Sequence, residues 1–113
     1  MSIELWSDNI FKVELQDDPA FTDDLSALLD QLETHSDAHV VLNFAGVNYL
    51  NSSNIAKLLK LRRKLLHEKR RLVLSGIDTN VWGLFLVTGL DKVFEFADNL
   101  ATGLAAVQID PGS

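Results

Sequence analysis

The stretch from His39 to Ser75 constrains the fold more than any other part of the chain, because its pattern is strand, helix, strand. His39–Ala45 is a nearly continuous apolar run, which is typical of a strand that is buried in a parallel sheet. A helical pattern follows from about Ser52 to Lys69, and Arg71–Ser75 is predicted to form the next strand. Two strands joined through a helix predict a parallel crossover.

The predicted helix has two chemically different faces. At about 100° per residue, one face is apolar and carries Ile55, Leu58, Leu59, Leu61, Leu65 and Leu66. The other face is mostly basic and carries Lys57, Lys60, Arg63, Lys64, His67 and Glu68. Arg62 falls among the apolar positions, so we expect its stem to be buried and its guanidinium to reach a rim.

The flanking segments complete an α/β pattern. Two strands, Ile3–Trp6 and Ile10–Leu15, are predicted to form a hairpin around Ser7–Asn9. A helix is expected to begin near Asp17-Asp18-Pro19 and to end near His35, with an apolar stripe formed by Leu25, Leu28, Leu29 and Leu32.

After the central unit, a helix capped by Asp78 or Thr79 is expected to run to Thr88 and to end at Gly89. Val93–Phe96 is predicted as a short last strand, followed by a final helix from Asp98 through Val107. These elements predict one domain over residues 1–113, with a core at about 3–108 and a frayed tail at 109–113. We expect a sheet of four or five mostly parallel or mixed strands, with about four helices packed mainly on one face.

Composition excludes several functional classes. The absence of cysteine excludes disulfides and thiolate metal sites, and the net charge of −6 argues against direct nucleic-acid binding. The longest apolar run, Val81–Val87, is far shorter than the roughly 20 residues of a membrane helix. Since the first residues lack a signal-peptide pattern, we predict a cytoplasmic protein without membrane insertion.

Charge is unevenly distributed along the chain. Eight of the ten basic residues lie between Lys57 and Arg71, and ten of the sixteen acidic residues precede Ala38. Two interpretations remain open: a solvated helix face, or a surface that steers a partner protein by charge.

Enzymatic and metal chemistry find little support in the sequence. The three histidines, His35, His39 and His67, show no ligand spacing and are expected to face solvent. Four acids are better explained as helix-start charges than as a cation site: Asp17, Asp18, Asp23 and Asp24. There is neither a glycine-rich phosphate loop nor a Gly-x-Ser-x-Gly elbow, so we predict no catalytic residues, metal or cofactor. Trp82 and Phe85 fit a core, although an exposed Trp82 could anchor a partner.

Asn51-Ser52-Ser53-Asn54 is the segment with the most functional interest. It lies where the central strand ends and the helix begins, and sites in open α/β sheets tend to lie at such junctions. A serine there can cap the helix, or it can accept a phosphoryl group whose charge suits the helix start.

Three segments together resemble the STAS domain of anti-sigma-factor antagonists. Val40–Leu59 is similar to that family's apolar strand, short turn and Asp-Ser-(Ser/Thr)-Gly helix start. Arg71–Ile77 looks like the family's next strand, and Val81–Asn99 looks like its following helix, strand and last-helix start. The resemblance covers roughly residues 3–108.

The resemblance implies partner switching. The unmodified domain would bind a serine kinase of the histidine-kinase-like ATPase fold, which acts as the anti-sigma factor. Phosphorylation at Ser53 would end that binding, and a metal-dependent phosphatase would restore it. The protein would be a monomer or weak dimer and not an enzyme. The partner-binding residues implied are Asn48, Tyr49, Asn51, Ser52, Ser53, Asn54, Lys57 and Lys60.

The chain also departs from the family pattern. Asn51 and Asn54 replace the usual Asp and Gly, Asn43 stands where Asp is common, and Gln16–Asp18 only loosely matches the family's Gly-x-Leu-Asp. Two alternatives therefore remain: a non-switching STAS subunit of a transport ATPase of the lipid-transport type, or a structural assembly domain in which Ser52 and Ser53 merely cap a helix.

Overall fold

The computed structural model describes residues 2–108 and contains a five-stranded mixed sheet with four α-helices. The strands are β1 (Ile3–Ser7), β2 (Ile10–Gln16), β3 (His39–Gly46), β4 (Leu72–Ser75) and β5 (Glu95–Ala97). The helices are α1 (Ala20–Leu32), α2 (Ser52–His67), α3 (Thr79–Thr88) and α4 (Leu100–Gln108), with a short 3-10 turn at Leu90–Lys92. The strands lie side by side in sequence order; β1 and β2 are antiparallel, and the other neighbouring pairs are parallel. The predicted fold class and hairpin are confirmed.

The two faces of the sheet are covered unequally. Val40, Leu42 and Phe44 of β3 point into the larger core, to which α1, α2 and α3 contribute their buried side chains. Val41 points to the opposite face, where it packs with Leu104 of α4. β3 is therefore buried on both faces, which explains its nearly continuous apolar sequence.

Several predicted boundaries are wrong by a few residues. α1 ends at Leu32, and the chain continues as turns up to His35. β5 begins at Glu95 rather than Val93, because the preceding residues form the 3-10 turn. α4 begins at Leu100 rather than Asp98, since the Asn99 side chain accepts a hydrogen bond from the Thr102 backbone N–H at 2.9 Å. The predicted frayed tail lies outside the described residues, and the single domain over residues 1–113 stays a prediction.

Two side-chain predictions are also wrong. His39 is buried, not solvent-facing: its Nδ1 accepts a hydrogen bond from the Arg71 backbone N–H at 3.0 Å. Leu66 is 54% exposed, because the buried stripe of α2 runs through Leu61 and Leu65, and Leu66 lies about 100° further round the helix axis. By contrast, Arg62 is half-buried, and its Nε donates to the carbonyl of Val93 at 3.0 Å, as expected of a buried stem whose head reaches a rim.

Candidate functional site

The start of α2 is capped by asparagines and not by serines. Asn51 is the N-cap: its Oδ1 accepts from the Asn54 backbone N–H at 2.8 Å, and Asn54 Oδ1 accepts from the Asn51 backbone N–H at 3.1 Å. This reciprocal pair is a capping box. Ser52 and Ser53 are the first two helical residues, both are exposed, and neither hydroxyl has a hydrogen-bond partner within residues 2–108. The prediction that Ser52 or Ser53 caps the helix is therefore wrong, and the structural assembly domain stays an alternative.

Asp18 joins the starts of α1 and α2. Its Oδ1 accepts from the backbone N–H and the hydroxyl of Thr22, at 2.9 Å and 2.7 Å. Its Oδ2 accepts from the side-chain amides of Asn54 and Asn51, at 2.9 Å and 3.2 Å. The Thr22 hydroxyl and then the Asn54 amide stabilise the carboxylate, so the pKa of Asp18 falls to about 2.

Asp17, one residue before Asp18, joins the same two loops, which are the segment between β2 and α1 and the segment between β3 and α2. Asp17 accepts from the backbone N–H of Asn48 at 2.8 Å and from its side-chain amide at 2.9 Å. These bonds, the backbone one first, lower the pKa of Asp17. The parallel pairing of β2 with β3 makes the contacts possible, because it brings the carboxyl ends of both strands to one edge of the sheet. Both acids therefore join the two loops, and Asp18 also accepts from a backbone N–H at the start of α1.

The departures from the family pattern are linked to Asp18. The amides of Asn51 and Asn54 both donate to its carboxylate, and a carboxylate at position 51 would place a like charge against it. Asn54 is only 1% exposed, so it supports the helix start from beneath. Its predicted place among the residues that contact a partner stays a prediction. Sequence reasoning missed Asp18 as a site residue; the available signal was an acidic pair after one strand and an asparagine-rich turn after the next.

The remaining predicted site residues form an exposed surface. Tyr49 is 54% exposed, and Asn48, Asn51 and Lys60 are also exposed. Lys57 is half-buried and lies one helical turn after Ser53. We call this set, with Ser52 and Ser53, the α2 start surface.

The basic side chains along α2 differ in how they are paired. Lys64 forms an ion pair with Glu33 at 2.9 Å, near the other end of the helix. Lys57, Lys60 and Arg63 have no acidic partner within residues 2–108. The unpaired N–H groups and the helix dipole add positive potential at the same end. The α2 start surface therefore combines two lysines and a positive helix end with the carboxylates of Asp17 and Asp18, which bind Asn48 and Asn51.

A separate apolar area lies on α3. Phe85 is fully buried, as predicted for a core residue, whereas Trp82 is 36% exposed and packs edge-on against Phe96 with ring centroids 5.0 Å apart. Leu86 and Val87 are 50% and 82% exposed.

No group of three or more His, Asp or Glu side chains in residues 2–108 could hold a metal ion. None of the helices there combines the length and the apolar character needed to cross a bilayer.

The sequence matches the STAS domain family over residues 7–103, so the chain belongs to that family. No curated protein sequence matches it significantly. An anti-sigma-factor antagonist (STAS) domain protein from Planctomyces limnophilus has a similar structure, with a TM-score of 0.80 and 15% identity over 94% of this chain and 97% of that chain.

Two further solved structures have the same fold. The Bacillus cell fate determinant SpoIIAA in its phosphorylated form gives a TM-score of 0.64 and 18% identity, over 85% of this chain and 89% of that chain. A sulfate transporter family protein from Wolinella succinogenes has a TM-score of 0.72 and 17% sequence identity, over 89% of this chain and 84% of that chain. At these identities the likeness establishes the STAS fold, as the resemblance predicted.

Proposed function

We propose that this protein is a regulatory binding module, an anti-sigma-factor antagonist that acts by partner switching through the α2 start surface. The observation that carries the proposal is the Ser53 hydroxyl, which is exposed at the second position of α2 and free of any internal hydrogen bond in residues 2–108. Because Asn51 and Asn54 provide the cap, this hydroxyl is not needed to hold the helix. The protein is proposed to act in the cytoplasm as a ligand and substrate of a serine-kinase-type anti-sigma factor, without catalysing a reaction itself.

In the unmodified state, the partner would cover Tyr49, Ser52 and Ser53. Exposed tyrosines are effective anchors in protein interfaces, because they bury a large area at low entropic cost. Lys57 and Lys60 would meet acidic groups of the partner and increase the rate of association. Asp18 and Asn54 would act as positioning residues that keep the helix start in one geometry.

Phosphorylation would end this contact. The kinase would transfer the γ-phosphoryl group of ATP to Ser53 Oγ: an O–P bond forms, the bond to the leaving ADP breaks, and the hydroxyl proton passes to a base of the kinase. The product carries a charge of about −1.5 to −2. The free helix start tolerates this charge, but a desolvated contact does not. Hydrolysis by a metal-dependent phosphatase would restore binding.

The test is affinity capture from the native host with four baits: the unmodified protein, Ser53→Glu, Ser53→Ala and Ser36→Glu. Ser36→Glu is the matched control, because it adds the same charge at an exposed serine that precedes β3 and lies outside the proposed contact. We expect a histidine-kinase-like ATPase to be retained by all baits except Ser53→Glu. Incubation of that ATPase with ATP should phosphorylate the unmodified protein but not Ser53→Ala. Retention of the same partner by all four baits, without phosphate at Ser53, would remove the switching mechanism.

A second candidate is a non-switching STAS subunit of a transport system. The observation in its favour is the hydrogen-bond network of Asp18, Asn51 and Asn54. In this network Asn54 stands where the family has glycine, and its buried side chain leaves a kinase less access to the backbone around Ser53. Capture of a membrane transport ATPase, held equally by the unmodified protein and Ser53→Glu, would favour this candidate.

A further inference from the structure

A basic pocket lies at the opposite end of α2 from Ser53. The cavity has a volume of about 170 Å³ and opens beside the last turn of α2 and the first residues of β4 and β5. Since Ser53 follows the carboxyl end of β3, the α2 start surface and this pocket lie at opposite edges of the sheet. The pocket plays no part in the function proposed above.

Charge in this pocket is strongly unbalanced. Within residues 2–108 its lining includes three arginines, Arg62, Arg70 and Arg71, and one acid, Glu95, so the described lining has a formal charge of +2. Glu95 is already engaged: one oxygen accepts from Arg71 Nε at 3.2 Å, and the other accepts from Arg71 Nη2. Arg71 Nη1 also donates to the carbonyl of Ala106 at 2.8 Å. The excess positive charge therefore belongs to Arg62 and Arg70.

In the part of the chain that the structure describes, both arginines have hydrogen-bond donors without acceptors. Arg62 is anchored through Nε to the carbonyl of Val93, and its terminal amino groups have no partner within residues 2–108. Arg70 Nε is buried and has no hydrogen-bond partner in that part of the chain. A buried donor on a charged group is unfavourable unless some group accepts from it. A planar guanidinium fork matches the oxygens of a carboxylate or phosphate.

The remaining lining is apolar and partly open. Leu65 and Phe94 form buried parts of the wall, whereas Leu66 lies at the mouth and is 54% exposed. The exposure of Leu66 is the feature that helical periodicity did not predict. The volume corresponds to on the order of five water-sized groups, since one water occupies about 30 Å³ of the liquid.

We propose that this pocket binds a small organic oxyanion, a carboxylate or phosphomonoester that carries a short apolar substituent. Arg70 Nε is buried in the present arrangement, so the Arg70 side chain turns toward the cavity when the ligand binds. The oxyanion then accepts hydrogen bonds from Arg70 Nε and the terminal amino groups of Arg62, and the apolar substituent packs against Leu66 and Phe94. The Arg71–Glu95 pair forms one wall and limits the number of negative charges that the pocket can hold.

The probes are phenyl phosphate, hexanoate and inorganic phosphate, each titrated into the full chain and followed by NMR of the arginine Nε–H groups. We expect saturable shifts of the Arg70 and Arg62 signals with the two organic anions and weaker binding of inorganic phosphate, which lacks the apolar part. The ratio of the two organic affinities distinguishes a carboxylate from a phosphomonoester ligand.

Matched variants locate the site. Arg70→Gln should weaken binding by about 10- to 100-fold, the range for loss of a charge-assisted hydrogen bond. Arg63→Gln removes the same charge from an exposed position on α2 outside the pocket lining, and it should change affinity by less than about twofold. Arg70→Lys keeps the charge but lacks the Nε–H, so it should bind nearly as weakly as Arg70→Gln. Circular dichroism melts check that each variant is folded.

Three results would overturn the proposal. The first is the absence of saturable shifts at millimolar concentrations of both organic anions. The second is an equal loss of affinity in Arg63→Gln, which would indicate general attraction to the basic face of α2. The third is full retention of binding by Arg70→Lys, which would show that charge alone, without the Nε donor, accounts for it.

Discussion

Replacing Asn54 with glycine, the residue usual in the family, should destabilise this chain instead of improving it. Asn54 is 1% exposed, and its side chain makes two well-formed hydrogen bonds: Oδ1 accepts from the Asn51 N–H at 3.1 Å, and Nδ2 donates to the Asp18 carboxylate at 2.9 Å. A neutral bond contributes about 1 kcal/mol, and a bond to a charged group about 1.5–3 kcal/mol. Since Asp18 is only half-buried, we take the lower end, so the loss is about 2–3 kcal/mol for the two bonds.

The assay is urea unfolding at neutral pH, with Ser53→Gly as the matched control. Ser53 occupies the same helical turn without internal hydrogen bonds, so its replacement measures the intrinsic cost of glycine, about 0.5 kcal/mol. Asn54→Gly should therefore lower the free energy of unfolding by about 2–3 kcal/mol more than Ser53→Gly, with an unchanged m value. In an Asp18→Ala background the extra loss should shrink, because one of the two bonds is already absent. An Asn54→Gly variant that costs no more than Ser53→Gly would refute the role of the network.

Three other predictions concern neighbouring parts of the fold. The folded-state pKa of Asp18, about 2, lies below its ordinary value of 3.8. The stabilising contribution of the Asp18 carboxylate is therefore complete above about pH 4 and is lost as the pH falls through about 2. Carbon NMR titration of the carboxyl group checks this, and a titration midpoint at or above 3.8 would contradict it. Gly76→Ala should lower the free energy of unfolding by about 1–3 kcal/mol, because φ at Gly76 is +68° and the new Cβ would lie 2.8 Å from Asn43 Oδ1. Gly83→Ala, in open space on α3, should instead raise it by about 0.5–1 kcal/mol. Equal effects of the two substitutions in urea unfolding would argue against this reasoning. His39→Leu should cost about 1–3 kcal/mol in the same assay by leaving the Arg71 N–H without its acceptor, and an unchanged stability would show that another group replaces it.

Local patterns were sufficient for most of the fold. The apolar run of β3 predicts a strand, and the apolar stripe of α2, with its 3.6-residue repeat, predicts a helix. Both patterns can be read from neighbouring residues, because burial of one or both faces of an element determines which positions are apolar. The errors occur where a partner distant in sequence decides the outcome. His39 is buried because the backbone of Arg71, 32 residues later, donates to its ring.

The same division applies to the candidate site. The sequence by itself determined that a serine pair follows the central strand at a helix start and that a basic face follows it, since both depend on adjacent residues. Only the tertiary structure decided that Asn54 is buried and that the amides of Asn51 and Asn54 both bind the Asp18 carboxylate, across 33 and 36 residues. The tertiary structure also decided that Arg62 and Arg70 line one pocket with Glu95. Glu95 lies beside the end of α2 because β5 pairs in parallel with β4. Contacts of this kind depend on strand order, and strand order depends on the packing of the whole core.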